Sequence, residues 1–240
     1  MIDGIYGREG QPFSNLSPEV WREMLGSEDR FQKVDYLLFT HAHPDHFSPE
    51  MTGEFLRHRD VKGLFLPQPH TAAEDRLIET LQARKTPCVM QTTAVINAAI
   101  KVNKEFSWYR IEPEITVRAF RTLHLDRKYR DVPHFCYILT FGDKKILLTA
   151  DVDYTTETLE SIQDLPIKAA FVNPLFFNAL CRRKFFKGTL PGQSIFVYHV
   201  PFPEDDSMWM LPTLRRSLEA WPPDGRPVTA LTEPFQEIEL

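Results

Sequence analysis

The sequence predicts an α/β fold, and three observations carry the prediction. Short apolar runs of strand length recur along the chain, and helix-opening signals stand between them. The 240 residues, 42% hydrophobic and 25% charged, are enough for one large buried core. No Gly/Ser stretch, run of like charge or internal repeat marks a boundary, so residues 1–240 read as a single domain.

The elements follow in chain order. Ser17-Pro18-Glu19 opens a helix by setting a capping hydroxyl before a proline at the first helical position. Val34–Thr40 (VDYLLFT) reads as a buried strand, Ser48-Pro49-Glu50 repeats the helix opening, and Gly63–Pro67 (GLFLP) is the next strand. Thr71-Ala72-Ala73-Glu74 is a capping box whose helix reaches about Gln82. Ile115–Leu123 (ITVRAFRTL) is a third strand. Phe135–Phe141 and Lys145–Thr149 flank Gly142-Asp143-Lys144, a hairpin signal. Helices at Thr155–Ile162 and Leu214–Trp221, and strands at Ala169–Val172 and Ile195–Tyr198, complete the reading.

Charge and composition exclude several classes. With 28 basic and 33 acidic side chains the net charge is −5, which offers no broad attraction for nucleic acid, although a local basic patch stays open. No apolar run approaches the roughly 18 residues of a membrane span, and Met1–Tyr6 lacks the features of a secretory signal. Cys88, Cys136 and Cys181 are an odd count at wide spacings, neither a disulfide framework nor a thiolate metal site. They read as small buried hydrophobes in a reducing compartment, with the cytoplasm as the expected location.

The informative segment is Thr40-His41-Ala42-His43-Pro44-Asp45-His46, an H-x-H-x-D-H cluster. Chance would produce it in about one chain in 1,800 of this composition. Imidazole nitrogen and carboxylate oxygen are the donors that zinc, manganese and iron accept. Four such donors in six residues exceed what one tetrahedral ion takes from a single loop, so two neighbouring ions are expected, with further ligands from afar. His124, Asp151 and His199 each follow an apolar strand, where a site at one sheet edge would collect them.

These pieces, T-H-A-H-P-D-H, L-H-L-D, P-H-F-C-Y-I-L, K-I-L-L-T-A-D and F-V-Y-H in that order, resemble the metallo-β-lactamase superfamily of metal-dependent hydrolases. The resemblance runs from Asp3 to His199 and implies an αββα sandwich, two mixed β-sheets flanked by helices. It implies one metal site from His41, His43 and His124, a second from Asp45, His46 and His199, and Asp151 as the bridge. Two divalent ions are implied, zinc first, with manganese or iron as alternatives. The partner that the resemblance implies is a small-molecule substrate. The chain departs from the pattern in three places. The usual first strands are lacking ahead of Asp3, so the expectation is a homodimer through an open sheet edge or a longer product with an upstream start. Ala150-Asp151 stands where Gly-Asp is common, and nine residues, five of them charged, separate His124 from His134.

The chemistry implied is attack by a metal-bound hydroxide on an ester, lactone, thioester or phosphodiester. Asp45 would orient the hydroxide and take its proton, and His134 is a second catalytic candidate, with a structural role as its alternative. A di-iron redox protein and a non-catalytic binding protein on the same scaffold are the competing classes. The basic cluster Arg182-Arg183-Lys184 with Lys187 reads as a solvated face, with an anion-binding loop as its alternative. Asn173–Phe177 walls a pocket or packs the core, and His58 and His70 read as structural or exposed.

Overall fold

The computed structural model describes residues 1–7, 13–26, 29–68, 70–91, 106–153, 159, 162–177, 193–220 and 226–240. The chain divides into two compact units: Met1–Gln11 with Asn15–Ala99, and Pro12–Ser14 with Ile100–Leu240.

The first unit holds a parallel sheet in the order β1 (Tyr36–Leu38), β2 (Gly63–Pro67), β3 (Cys88–Gln91). All five residues of the central strand β2 are buried, the pattern of a parallel strand covered on both faces. Helices α1 (Pro18–Gly26), α2 (Pro49–His58) and α3 (Ala72–Arg84) belong to this unit. Their openings are the expected ones. Ser17 Oγ accepts from Val20 N–H, Ser48 Oγ from Met51 N–H, and Thr71 and Glu74 form the full capping box. Met24, Phe55, Leu56, Leu77 and Leu81 carry the helices into a core with Leu37, Phe39 and Leu64. Ahead of α1, Met1–Asp3 runs alongside β1: Ile2 bridges Leu38 in parallel, and Asp3 N–H donates to Leu38 O at 2.9 Å.

The second unit holds a seven-stranded sheet in the order β10-β9-β8-β7-β6-β5-β4. Its strands are β4 (Phe106–Glu112), β5 (Ile115–Thr122), β6 (His134–Phe141), β7 (Lys144–Leu148), β8 (Ile167–Val172), β9 (Ser194–Val197) and β10 (Val228–Ala230). From β4 to β7 the pairs are antiparallel, and from β7 to β10 they are parallel. Strands β5, β7, β8 and β9 therefore point the same way and end at one edge, where β6 enters. The expected hairpin joins β6 to β7 through Gly142-Asp143, with Gly142 at φ 61°, a left-handed value that favours glycine.

Helix α4 (Met210–Ala220) starts four residues before the expected Leu214. The carboxylate of Asp206 accepts from Met210 N–H at 2.8 Å and Leu211 N–H at 2.9 Å, capping the helix from four residues upstream. Pro212 thus sits inside the first turn, where a missing N–H loses no helical bond. Strands β3, β4 and β10 complete the sheets without having been foreseen. β4 lies at a sheet edge, where Trp108 is 58% exposed and the Arg118 guanidinium from β5 stands 4.8 Å from its ring centre. Cys136 is fully buried and Cys88 partly so, both as free thiols. The expected helix at Thr155–Ile162 falls mostly outside the described residues, and Cys181, the basic cluster at Arg182–Lys187 and Trp221 fall outside them altogether. No helix among the described residues is long and apolar enough to cross a membrane.

Candidate metal centre

Each unit carries its own cluster of candidate ligands. In the first unit the chain leaves β1, passes Phe39 and Thr40, and folds into the loop His41–His46 before α2. Amide N–H groups of His46 and Phe47 both donate to His43 O at 2.9 Å, which curls the loop and turns its imidazoles together. The ring of His41 lies 4.6 Å from His43 and 4.2 Å from His46, centre to centre.

Asp3 sets the protonation of two of these rings. Its carboxylate can only accept, so His46 Nδ1, 2.9 Å away, donates to it, and the lone pair of His46 lies on Nε2. The Thr40 hydroxyl also donates to Asp3, at 2.7 Å. The Thr40 oxygen is therefore an acceptor for His41 Nδ1 at 3.0 Å, and the lone pair of His41 is again on Nε2. His41 Nε2 and His43 Nδ1 stand 3.1 Å apart. Two nitrogens on one tetrahedral zinc are separated by ~3.3 Å, so this pair fits the ion. His41 and His46 are buried, while Asp45 and His43 are half-buried. Burial first, and the Asp45 carboxylate second, raise the Tyr6 phenol above its ordinary value.

In the second unit the common strand edge does the gathering. His124 follows β5, Asp151 follows β7, Asn173 follows β8 and His199 follows β9. Asp151 offers Oδ2 to His124 Nε2 at 3.6 Å and Oδ1 to His199 Nδ1 at 3.3 Å. Asn173 Nδ2 donates to the same Oδ1 at 3.2 Å. His199 stacks on Phe13 with ring centres 4.2 Å apart. His124 differs from His41 and His46 in one respect. Asp126 N–H donates to its Nδ1 at 3.0 Å, which puts its proton on Nε2, so a metal at Nε2 requires that contact to give way.

His134 pairs with Thr122 in the β5–β6 register, shares a hydrogen bond with the Thr122 hydroxyl and is fully buried. Its ring stands edge-on to His124, 6.0 Å between centres. Arg130 reaches the buried Asp153 at 2.8 Å and Tyr129 stands edge-on to His124, so the charged loop after β5 folds against that histidine. His58 lies on the last turn of α2 beside Glu54 O, and both it and His70 are exposed, as the sequence implied.

Three backbones at these clusters are left-handed without being glycine: Asp3 at φ 46°, Ala150 at 45° and His199 at 59°. Conformations of this kind gather at functional sites because they are held only by the surrounding structure. Sequence reasoning gave Asn173 a wall or packing role, although it follows an apolar strand just as His124, Asp151 and His199 do. Thr40, Thr122 and Tyr198 carried no signal, because Asp3, His134 and Ala150, which they bond, lie 37, 12 and 48 positions away in the chain.

No protein-family model matches the sequence, and no curated protein matches it. Solved structures do. The short form of human tRNase Z superposes with a TM-score of 0.56 at 11% identity, covering 97% of this chain and 95% of that one. The metallo-β-lactamase fold protein YhfI from Bacillus subtilis gives 0.52 at 14%, covering 98% and 95%. A mutant of the β-hydroxylase CmlA, an enzyme of Streptomyces venezuelae, gives 0.51 at 17%, covering 96% of this chain and 48% of that one, so this chain spans about half its length. Likeness at such identities reports architecture alone, and with the two sheets and helices described above it establishes that this chain has the metallo-β-lactamase fold.

Proposed function

We propose that the chain is a metal-dependent hydrolase with a binuclear centre, and that residues 1–240 act as a single catalytic domain. One ion would take His41, His43 and His124, and the other Asp45, His46 and His199, with Asp151 between them. The observation that carries the reading is the preset state of the histidines. His41 and His46 have Nδ1 committed to Thr40 and Asp3, leaving Nε2 as the donor atom, which is the preparation a metal ligand needs. Zinc is the first expectation, since the donors are imidazole and carboxylate.

Bound ions of this kind supply a water ionised near neutral pH and polarise the substrate oxygen. The protein's own groups then do the following. Asp45 takes the proton released as the attacking water adds to the substrate. Asp151 fixes the spacing between His124 and His199, and Asn173 holds that carboxylate in place. His134, buried behind His124, keeps its ring in place. The substrate class is an ester, lactone, thioester or phosphodiester, which this chemistry treats alike.

A second reading, oxidation at two irons, is supported by the likeness to CmlA, whose native structure is described as a diiron β-hydroxylase. Elemental analysis separates the two when paired with turnover. Zinc-loaded protein is expected to hold two ions per chain and to cleave at least one of p-nitrophenyl phosphodiesters, lactones or thioesters. Saturation at one ion removes the binuclear centre. Two tightly held irons with no turnover across the panel favour the second reading instead.

A further inference from the structure

We propose that Tyr198 is a positioning residue for the Asp151 carboxylate, acting through the backbone of Ala150. The consequence for metal binding rests on the metal-centre reading above, whereas the geometry does not. After β7 the chain turns at Thr149–Val152, where Val152 N–H donates to Thr149 O at 3.3 Å. The second residue of this turn, Ala150, has φ 45°, a conformation its β-carbon disfavours. Ala150 is also fully buried, so its N–H needs an acceptor within the protein.

That acceptor is the phenol oxygen of Tyr198, 2.7 Å away. Tyr198 is itself pinned, since its own N–H donates to Val172 O at 3.0 Å and its ring stands edge-on to Phe171. Thr149 is tied to the same strand, with its N–H 3.0 Å and its hydroxyl 3.1 Å from Phe171 O. The Thr149–Ala150 peptide, one residue ahead of Asp151, is thereby tied to β8 and to the residue that follows β9. Tyr198 is also the residue before His199, whose φ is 59°. One side chain therefore ties the Asp151 turn to the backbone that carries His199, the group facing Asp151 Oδ1 at 3.3 Å. The hydroxyl holds a strained turn, and the turn aims the carboxylate.

The test is a cycle of Tyr198→Phe, Ala150→Gly and the double variant in the full chain. Tyr198→Phe keeps the ring on Phe171 and removes only the oxygen. Zinc affinity is measured by chelator competition, and thermal unfolding is measured on chelator-stripped protein. Tyr198→Phe is expected to weaken zinc binding by ~10-fold or more, the scale of losing an outer support of a ligand. Ala150→Gly is expected to stay near wild type, because glycine adopts a left-handed φ unaided. In the Ala150→Gly background the same tyrosine change should then lose much less zinc affinity and less thermal stability. Equal losses in both backgrounds, or no loss from Tyr198→Phe, overturn the proposal. Absence of zinc binding by the wild type would defeat the metal-centre reading alone, and the melts of stripped protein would still decide whether Tyr198 holds the turn.

Discussion

Asp151 faces His124 with one oxygen and His199 with the other, and this arrangement sets the strongest expectations for single residues. Asp151→Ala should weaken both ions together, since a bridge couples them. His124→Ala should empty one site, whereas His134→Ala should keep both ions and lose ~10–100-fold in affinity or activity at most. Metal stoichiometry after dialysis checks this, and metal loss confined to His134→Ala would reverse the assignment. A second expectation concerns the thiols. Burial pushes both Cys88 and Cys136 up to about 12 from an ordinary value of 9.0. The unfolded chain sheds those protons near pH 9 while the folded chain keeps them, so stability is intact below that pH and falls as pH climbs toward 12. Thermal melts from pH 8 upward should show the decline, and Cys136→Ala should flatten it. An unchanged slope in that variant would count against the buried thiol as its source.

Among the elements, the helix openings were legible because a cap is local chemistry. Ser17, Ser48 and Thr71 each bond an N–H three residues on, a spacing that shows in the sequence itself. At α3 the reciprocal partner does more. Glu74 accepts from the N–H groups of His70 and Thr71, both at 2.7 Å, and is itself buried. Thr71→Ala should therefore cost about 1 kcal/mol, and Glu74→Ala about 2 kcal/mol, by denaturant unfolding. The reverse order would show that the hydroxyl, and not the carboxylate, holds the helix start. The opening of α4 was less legible, because Asp206 reaches it across an intervening turn. Strands β3 and β10 have only four and three residues, and nothing but their parallel neighbours identifies them as strands.

For the whole molecule the candidate ligands divide between the two units, with His41, His43, Asp45 and His46 in one and His124, Asp151 and His199 in the other. On the proposed metal-centre reading, ions held by both sets would bind the native chain and not the unfolded one, so at a hundredfold excess over Kd they would add about 2.7 kcal/mol. Chelation should lower the unfolding temperature accordingly, and Asp151→Ala should abolish most of the difference. Identical melts with and without chelator would dismiss a shared centre.

The sequence by itself determined the α/β class, most of the strands, the three capped helix openings and the H-x-H-x-D-H loop, because each is written in neighbouring residues. It also pointed to His124, Asp151 and His199, since a polar residue directly after an apolar strand is a local pattern. Only the tertiary structure decided what holds them. Asp3 sets the tautomer of His46 directly from 43 positions away, and that of His41 through Thr40, 37 positions away. Asn173 steadies Asp151 from a neighbouring strand, and Tyr198 secures the left-handed Ala150 from 48 positions away. Hydrogen bonds of this kind depend on which strands lie side by side, and strand order is fixed by packing across the whole sheet, which no local run of residues encodes.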